Sequence, residues 1–121
     1  MTVSPLLRLS VLLASSASAT FLFSTSYNDH SFNILSFNGS SLSSVAKNYD
    51  CGSEPTWLTV NTAKRALYCL NEGWGGNASI TSYSIESNGS SVRTREVLPT
   101  LKSPVASTLF GTNQENIAVA Y

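Results

Sequence analysis

The chain nearly repeats itself, and the spacing of the repeat limits what it can fold into. Asn38-Gly39-Ser40-Ser41 recurs as Asn88-Gly89-Ser90-Ser91. Around that anchor Phe21-Leu22-Phe23 aligns with Leu67-Tyr68-Cys69 and again with Ile117-Ala118-Val119. Ser31-Phe32-Asn33-Ile34 aligns approximately with Ser79-Ile80-Thr81-Ser82, and Glu54-Pro55 with Ser103-Pro104. The offsets run from 46 residues (Phe21 to Leu67) to 50 (Asn38 to Asn88), the length of one four-stranded β-propeller blade with its turns. A unit of that kind cannot bury both faces alone, so several are needed to close a ring. The chain holds about two of them and reads as the front end of something larger.

The local pattern is all-β. Phe32 to Phe37 and Ile80 to Ile85 alternate apolar and polar residues, which puts one face on a core and the other near solvent. Trp57 to Val60, Ala66 to Leu70, Val105 to Phe110 and Ile117 to Ala120 are more continuously apolar and suit inner strands packed on both faces. Asn-Gly at 38–39 and 88–89 supplies positions with φ > 0 between candidate strands. No segment carries a sustained helical stripe. The expected architecture is a partial β-propeller of about two four-stranded antiparallel blades.

The first 19 residues read as a leader rather than as fold. Met1 to Arg8 is a weakly basic start, Leu9 to Ala14 a short apolar core, and Ala17-Ser18-Ala19 a small-x-small cleavage signal; a buried first strand is the alternative. The apolar run is too short to span a bilayer. Residues 20–121 are then the folded domain of a secreted protein. Three N-glycosylation triplets, at Asn38, Asn77 and Asn88, fall in expected loops and agree with that route. Seven basic and seven acidic residues cancel; without Arg8 the mature part carries 6 − 7 = −1. That balance gives no footprint for nucleic acid or anionic membrane. Cys51 and Cys69 either form a disulfide, in an oxidising compartment, or stay as two separate buried thiols. No Cys or His spacing resembles a zinc site, and no cofactor or metal is expected.

Glu72 is the acid singled out, because it follows the apolar run Leu67 to Leu70 and precedes Gly73-Trp74-Gly75-Gly76. A carboxylate at a strand end beside a Gly-rich loop can reach a ligand in a central channel, and partial burial can tune it as a general base. A solvated strand-end glutamate is the plainer reading of the residue taken alone. His30, the lone histidine, follows Asp29 and could form a dyad with it, but the pair falls in a turn, where polar residues are expected anyway. Trp57 and Trp74 are candidate substrate platforms, although such residues are more often core or channel-lining aromatics; Trp74, between glycines, is free to be exposed. There is no Gly-x-Ser-x-Gly elbow and no second histidine, which disfavours serine-nucleophile hydrolysis.

The run from Cys51 to Val60, with Glu54-Pro55-Thr56-Trp57-Leu58-Thr59 at its centre, and the run Ala66-Leu67-Tyr68-Cys69-Leu70-Asn71-Glu72-Gly73 together resemble the first blade of the fungal 6-phosphogluconolactonase-like family. That family comprises seven-bladed propeller lactonases and includes carboxy-cis,cis-muconate cyclising enzymes. Ala78 to Tyr83 and Ser103-Pro104-Val105 extend the likeness over about Phe21 to Tyr121. The resemblance implies that Glu72 matches the family's acidic residue at the end of an inner strand. It also implies a small, usually anionic lactone in the channel, opened by water or formed by the reverse cyclisation. The family's Ala-His-Tyr is matched here only by Ala120-Tyr121, and its other channel residues belong to later blades. The expectation is therefore an incomplete and inactive piece of a lactonase, with a non-catalytic secreted binding or scaffold propeller as the alternative.

Overall fold

The computed structural model describes residues 19–90 and 92–121. The leader, apart from Ala19, lies outside the described residues. Nine strands follow one another: β1 (Thr20–Ser26), β2 (Ser31–Phe37), β3 (Leu42–Asn48), β4 (Pro55–Asn61), β5 (Ala66–Asn71), β6 (Ser79–Ile85), β7 (Val92–Pro99), β8 (Ala106–Phe110) and β9 (Asn116–Ala120). They form three antiparallel meanders, ordered β1-β2-β3, β4-β5-β6-β7 and β8-β9. The strand count matches about two blades, but the strands are divided three, four and two. The middle sheet is a complete four-stranded blade.

The repeat holds down to the irregularities of the sheets. β2 and β3 slip register between Ile34 and Leu35, leaving Val45 unpaired. β6 and β7 slip between Ser82 and Tyr83, leaving Arg95 unpaired. The two bulges are 48 residues apart on β2 and β6, the offset already seen between Ser31 and Ser79. A bulge adds twist, which blades around an axis require. By the same alignment β1 corresponds to β5, so the first sheet has no described counterpart of β4 or β8.

Two expectations are corrected by the strand positions. Sheets radiating from an axis approach each other along their inner edges, and the inter-sheet neighbours are β1 with β4 and β4 with β8. β4 and β8 are therefore the inner strands of the second and third sheets. Ala66 to Leu70 and Ile117 to Ala120 lie in second strands. The inner strands are also less fully covered than expected, since Trp57 is 44 % and Phe110 52 % exposed. The Asn-Gly turns also differ from expectation. Only the glycines take positive φ (Gly39 +94°, Gly89 +74°), because each asparagine instead folds its side chain onto the backbone. Asn38 Oδ1 accepts from the N–H groups of Ser40 (3.1 Å) and Ser41 (2.9 Å), and Asn88 Oδ1 from Ser90 N–H (3.0 Å). That Asx geometry closes the turn without a left-handed asparagine.

The core lies between the first two sheets. Phe32, Ile34, Cys51, Leu67, Cys69 and Tyr83 are buried together, with Phe32 and Tyr83 edge to face at 5.2 Å between ring centres. Cys51 in the β3–β4 connection is bonded to Cys69 of β5 across a Cα separation of 5.9 Å. The second and third sheets meet through polar contacts. Trp57 Nε1–H donates to Ser107 O at 3.1 Å, and the Thr59 hydroxyl lies 2.7 Å from that of Ser107. Behind the second sheet an open groove of about 600 Å³, lined by Tyr68, Ile80, Arg95, Leu98 and Ile117, runs to β9.

Candidate functional site

Glu72 sits where three connections converge at one end of the sheets. β5 ends at Asn71, whose side chain organises the surrounding chain. Its Oδ1 accepts from Glu54 N–H at 2.9 Å, and its Nδ2 donates to Asn77 O at 3.0 Å. Gly52 makes room for that amide, since a Cβ there would lie 2.4 Å from Asn71 side-chain atoms. The chain then turns sharply at Gly73 (φ +71°), where a Cβ would fall 2.2 Å from Ala78 N. A left-handed conformation and a blocked Cβ direction together require glycine. Glu72 itself is held through its main chain: N–H donates to Glu54 O at 3.0 Å, and its carbonyl accepts from Ser103 N–H at 2.9 Å. The residue thus joins the β3–β4, β5–β6 and β7–β8 connections.

The Glu72 side chain turns into the crevice between the first two sheets and is only 5 % exposed. Oε1 accepts the Tyr27 hydroxyl, from the turn after β1. Oε2 is buried and has no partner. The Tyr27 oxygen also lies 2.9 Å from Thr56 Oγ1, and Thr56 can donate to Glu54 O at 3.2 Å. Burial of the Tyr27 phenol, then its hydrogen bond to Glu72, hold its pKa above the ordinary phenol value. Glu54 repeats the arrangement of Glu72. Its Oε1 accepts Gly75 N–H at 3.1 Å, while Oε2 is buried and unpartnered. The Glu72 carboxylate, the Tyr27 and Thr56 hydroxyls and the Glu54 carbonyl are therefore joined in one hydrogen-bonded chain, while the Glu54 carboxylate is held by the glycine loop.

The other singled-out residues lie apart from this cluster. Trp57, on the inner strand β4, spends its indole N–H on Ser107 O and ties the second sheet to the third. Trp74 is two residues beyond Glu72 on the glycine loop and 69 % exposed. No dyad forms at His30. Its Nδ1–H donates to Ser53 O at 2.5 Å, while Asp29 pairs with Lys47 at 2.7 Å, and that hydrogen bond lowers the Asp29 pKa. Asn38, Asn77 and Asn88 are all exposed. No cluster of three or more His, Cys, Asp or Glu side chains suited to a metal ion occurs among the described residues. Sequence reasoning missed Tyr27 and Glu54. Glu54 had a signal, as the partner of Ser103 in the repeat, but it served only to mark the alignment. Nothing in the sequence links Tyr27 to Glu72, 45 residues away.

The comparisons with known proteins bear on this geometry. No curated protein and no solved structure matched the chain. The family model described as lactonase, 7-bladed β-propeller, matches residues 13–121. That span includes every described strand, the Glu72 cluster and both cysteines. On that match the chain belongs to the seven-bladed β-propeller lactonase family.

Proposed function

We propose that this chain is the N-terminal part of a secreted, glycosylated lactonase of the 6-phosphogluconolactonase type, with Glu72 as its general base. The single observation that carries the reading is the free Oε2 of a buried carboxylate at the strand-end rim of a lactonase-family sheet. In hydrolysis, Oε2 takes a proton from water as the water oxygen bonds to the lactone carbonyl carbon. The ring C–O bond then breaks, and the proton passes to the departing ring oxygen, giving the hydroxy acid. The reverse sequence is cyclisation. Tyr27 holds the other carboxylate oxygen and so fixes the direction of Oε2. The developing oxyanion needs further donors. Gly75 N–H and Gly76 N–H are committed to Glu54 Oε1 and Gly73 O, which assigns that role to later blades. Trp57 and Trp74 are the proposed substrate contacts.

A seven-bladed ring of four-stranded sheets takes roughly 28 strands, and nine are described here. The chain alone is accordingly proposed to be inactive, since an unclosed ring neither excludes water nor gathers the charge-stabilising groups. A second reading, a non-catalytic binding or scaffold propeller, is favoured by one observation: the main chain of Glu72 already ties three connections together. Assaying 6-phosphogluconolactone hydrolysis by the 121-residue chain and by the same chain joined to five further blades separates the two. Activity only in the completed ring is expected. An inactive completed ring favours the binding module, and turnover by the short chain refutes the argument from ring closure.

A further inference from the structure

We infer that Thr56 is a positioning residue for Glu72, acting through Tyr27 by a one-way chain of hydroxyl hydrogen bonds. The inference rests on the reading of Glu72 as the base. An ionised carboxylate has no hydrogen to give, so the Tyr27 hydroxyl spends its single hydrogen on Glu72 Oε1. In the 2.9 Å contact between the two hydroxyls Tyr27 is then the acceptor and Thr56 the donor. The rival acceptor for the Thr56 hydrogen is the Glu54 carbonyl. It is farther away, at 3.2 Å, and already receives Glu72 N–H at 3.0 Å. The order is therefore Thr56 to Tyr27 to Glu72. Since Oε2 has no partner, this chain is the one polar hold on the carboxylate among the described residues, and it fixes the direction in which Oε2 points.

The backbone aims Thr56 at this point. β4 and β5 slip register between Pro55 and Trp57, which makes Thr56 the unpaired residue of a bulge on the inner strand. A bulge beside a functional site re-aims a side chain. Across the crevice, Thr25 Oγ1 donates to the Thr56 carbonyl at 3.3 Å and holds β1 against the bulge. Tyr27 follows a strand of the first sheet, whereas Thr56 and Glu72 belong to the second, so the base is oriented only while those two sheets stay packed. The titration of Tyr27 carries the signature of the chain. Burial raises its pKa most; the bond to Glu72 raises it further, the bond from Thr56 lowers it, and the charges of Glu72 and Glu54 raise it. Opposite signs from the two hydrogen bonds are what an acceptor on one side and a donor on the other produce.

Two measurements test the role of Thr56. In the 121-residue chain, ionisation of Tyr27 is followed by the Cζ resonance of ¹³C-labelled tyrosine, assigned with Tyr27→Phe. Glu72→Gln should move the Tyr27 midpoint to lower pH and Thr56→Val to higher pH, while Thr56→Ser should keep the parent's midpoint. A threonine that only filled space would give way to valine without moving it. In the completed ring, Thr56→Val should lower kcat by about 10- to 100-fold with KM within about twofold, and Thr56→Ser should restore the rate. Should Thr56→Val not fold, Thr56→Ala is read in its place. A Tyr27 midpoint that stays put or falls in the folded valine variant overturns the chain, whatever the ring does. Full kcat in that variant overturns the positioning role. A completed ring inactive in its parent form defeats the base reading and the positioning role with it, while the Tyr27 titration still decides the hydrogen-bond chain.

Discussion

Breaking the Cys51–Cys69 bond should remove a large part of the stability of this chain. The bridge joins residues 18 apart, and the chain-entropy relation gives about 3 kcal/mol for a loop of that length. Both cysteines also lie in the buried cluster between the first two sheets, so a double alanine substitution deletes two packed sulfurs and adds roughly 1–2 kcal/mol. A domain of this size has about 5–15 kcal/mol to lose. Urea unfolding can separate the two contributions: reduction of the parent chain should cost about 3 kcal/mol, and Cys51→Ala/Cys69→Ala a further 1–2. Thiol labelling under denaturing, non-reducing conditions must first report no free cysteine. Two free thiols in the folded, unreduced protein, or a loss below about 1 kcal/mol once the bond is shown to be reduced, would refute the reasoning.

Four further outcomes are expected. Gly73→Ala should destabilise by at least about 2 kcal/mol in the same urea assay, because it needs a left-handed alanine and a Cβ inside the Ala78 backbone; a loss under about 0.5 kcal/mol contradicts this. The pKa values of Tyr27 and Tyr83 are raised, in each case chiefly by burial, so both favour the protonated fold. Their contribution is fully present below pH 10, the unfolded value, and is lost as pH rises through the folded values. Absorbance titration should show both ionising late, and Tyr83 ionising at the ordinary phenol pH in folded protein would be inconsistent with its burial. Exposed Leu98, Leu101 and Phe110 should make the chain bind a hydrophobic dye, with the signal falling in a completed ring; equal binding by both forms counts against face-to-face stacking. Mass spectrometry of secreted material should find a terminus near Thr20 and glycans on the exposed Asn38, Asn77 and Asn88, whereas an intact Met1 with three bare asparagines rules this out.

The strands were legible in the sequence because alternation and repeat spacing are local signals. Ser31 to Ile34 and Ser79 to Ser82 align closely enough to bring even the bulges into register. Which strand lies innermost was not legible, because a continuous apolar run looks the same in a first strand and a second. Ala66 to Leu70 therefore read as inner and proved to be second in its sheet. The Asn-Gly turns were located correctly but not in conformation, since side-chain capping by Asn38 and Asn88 competes with a left-handed backbone. Glu72 stood out beside its glycines, but its surroundings did not. Glu54 lies beside it through the β4–β5 pairing of Pro55 with Asn71, but Tyr27 reaches it only because blade packing sets the turn after β1 against the start of β4. A contact between sheets leaves no periodic trace in either segment.

The most direct test of the proposed role of Glu72 is steady-state hydrolysis of 6-phosphogluconolactone by a completed seven-bladed ring, with and without Glu72→Gln. The amide keeps the size and the Tyr27 contact of the carboxylate but cannot take a proton. Loss of a positioned base costs on the order of 10² to 10⁴ in rate. The expected result is a fall of that size in kcat, KM within about twofold, and loss of the acidic limb of the pH–rate profile. An active ring whose kcat and pH profile are unchanged by the substitution would make Glu72 a structural tie between the blades and move the catalytic base elsewhere in the ring.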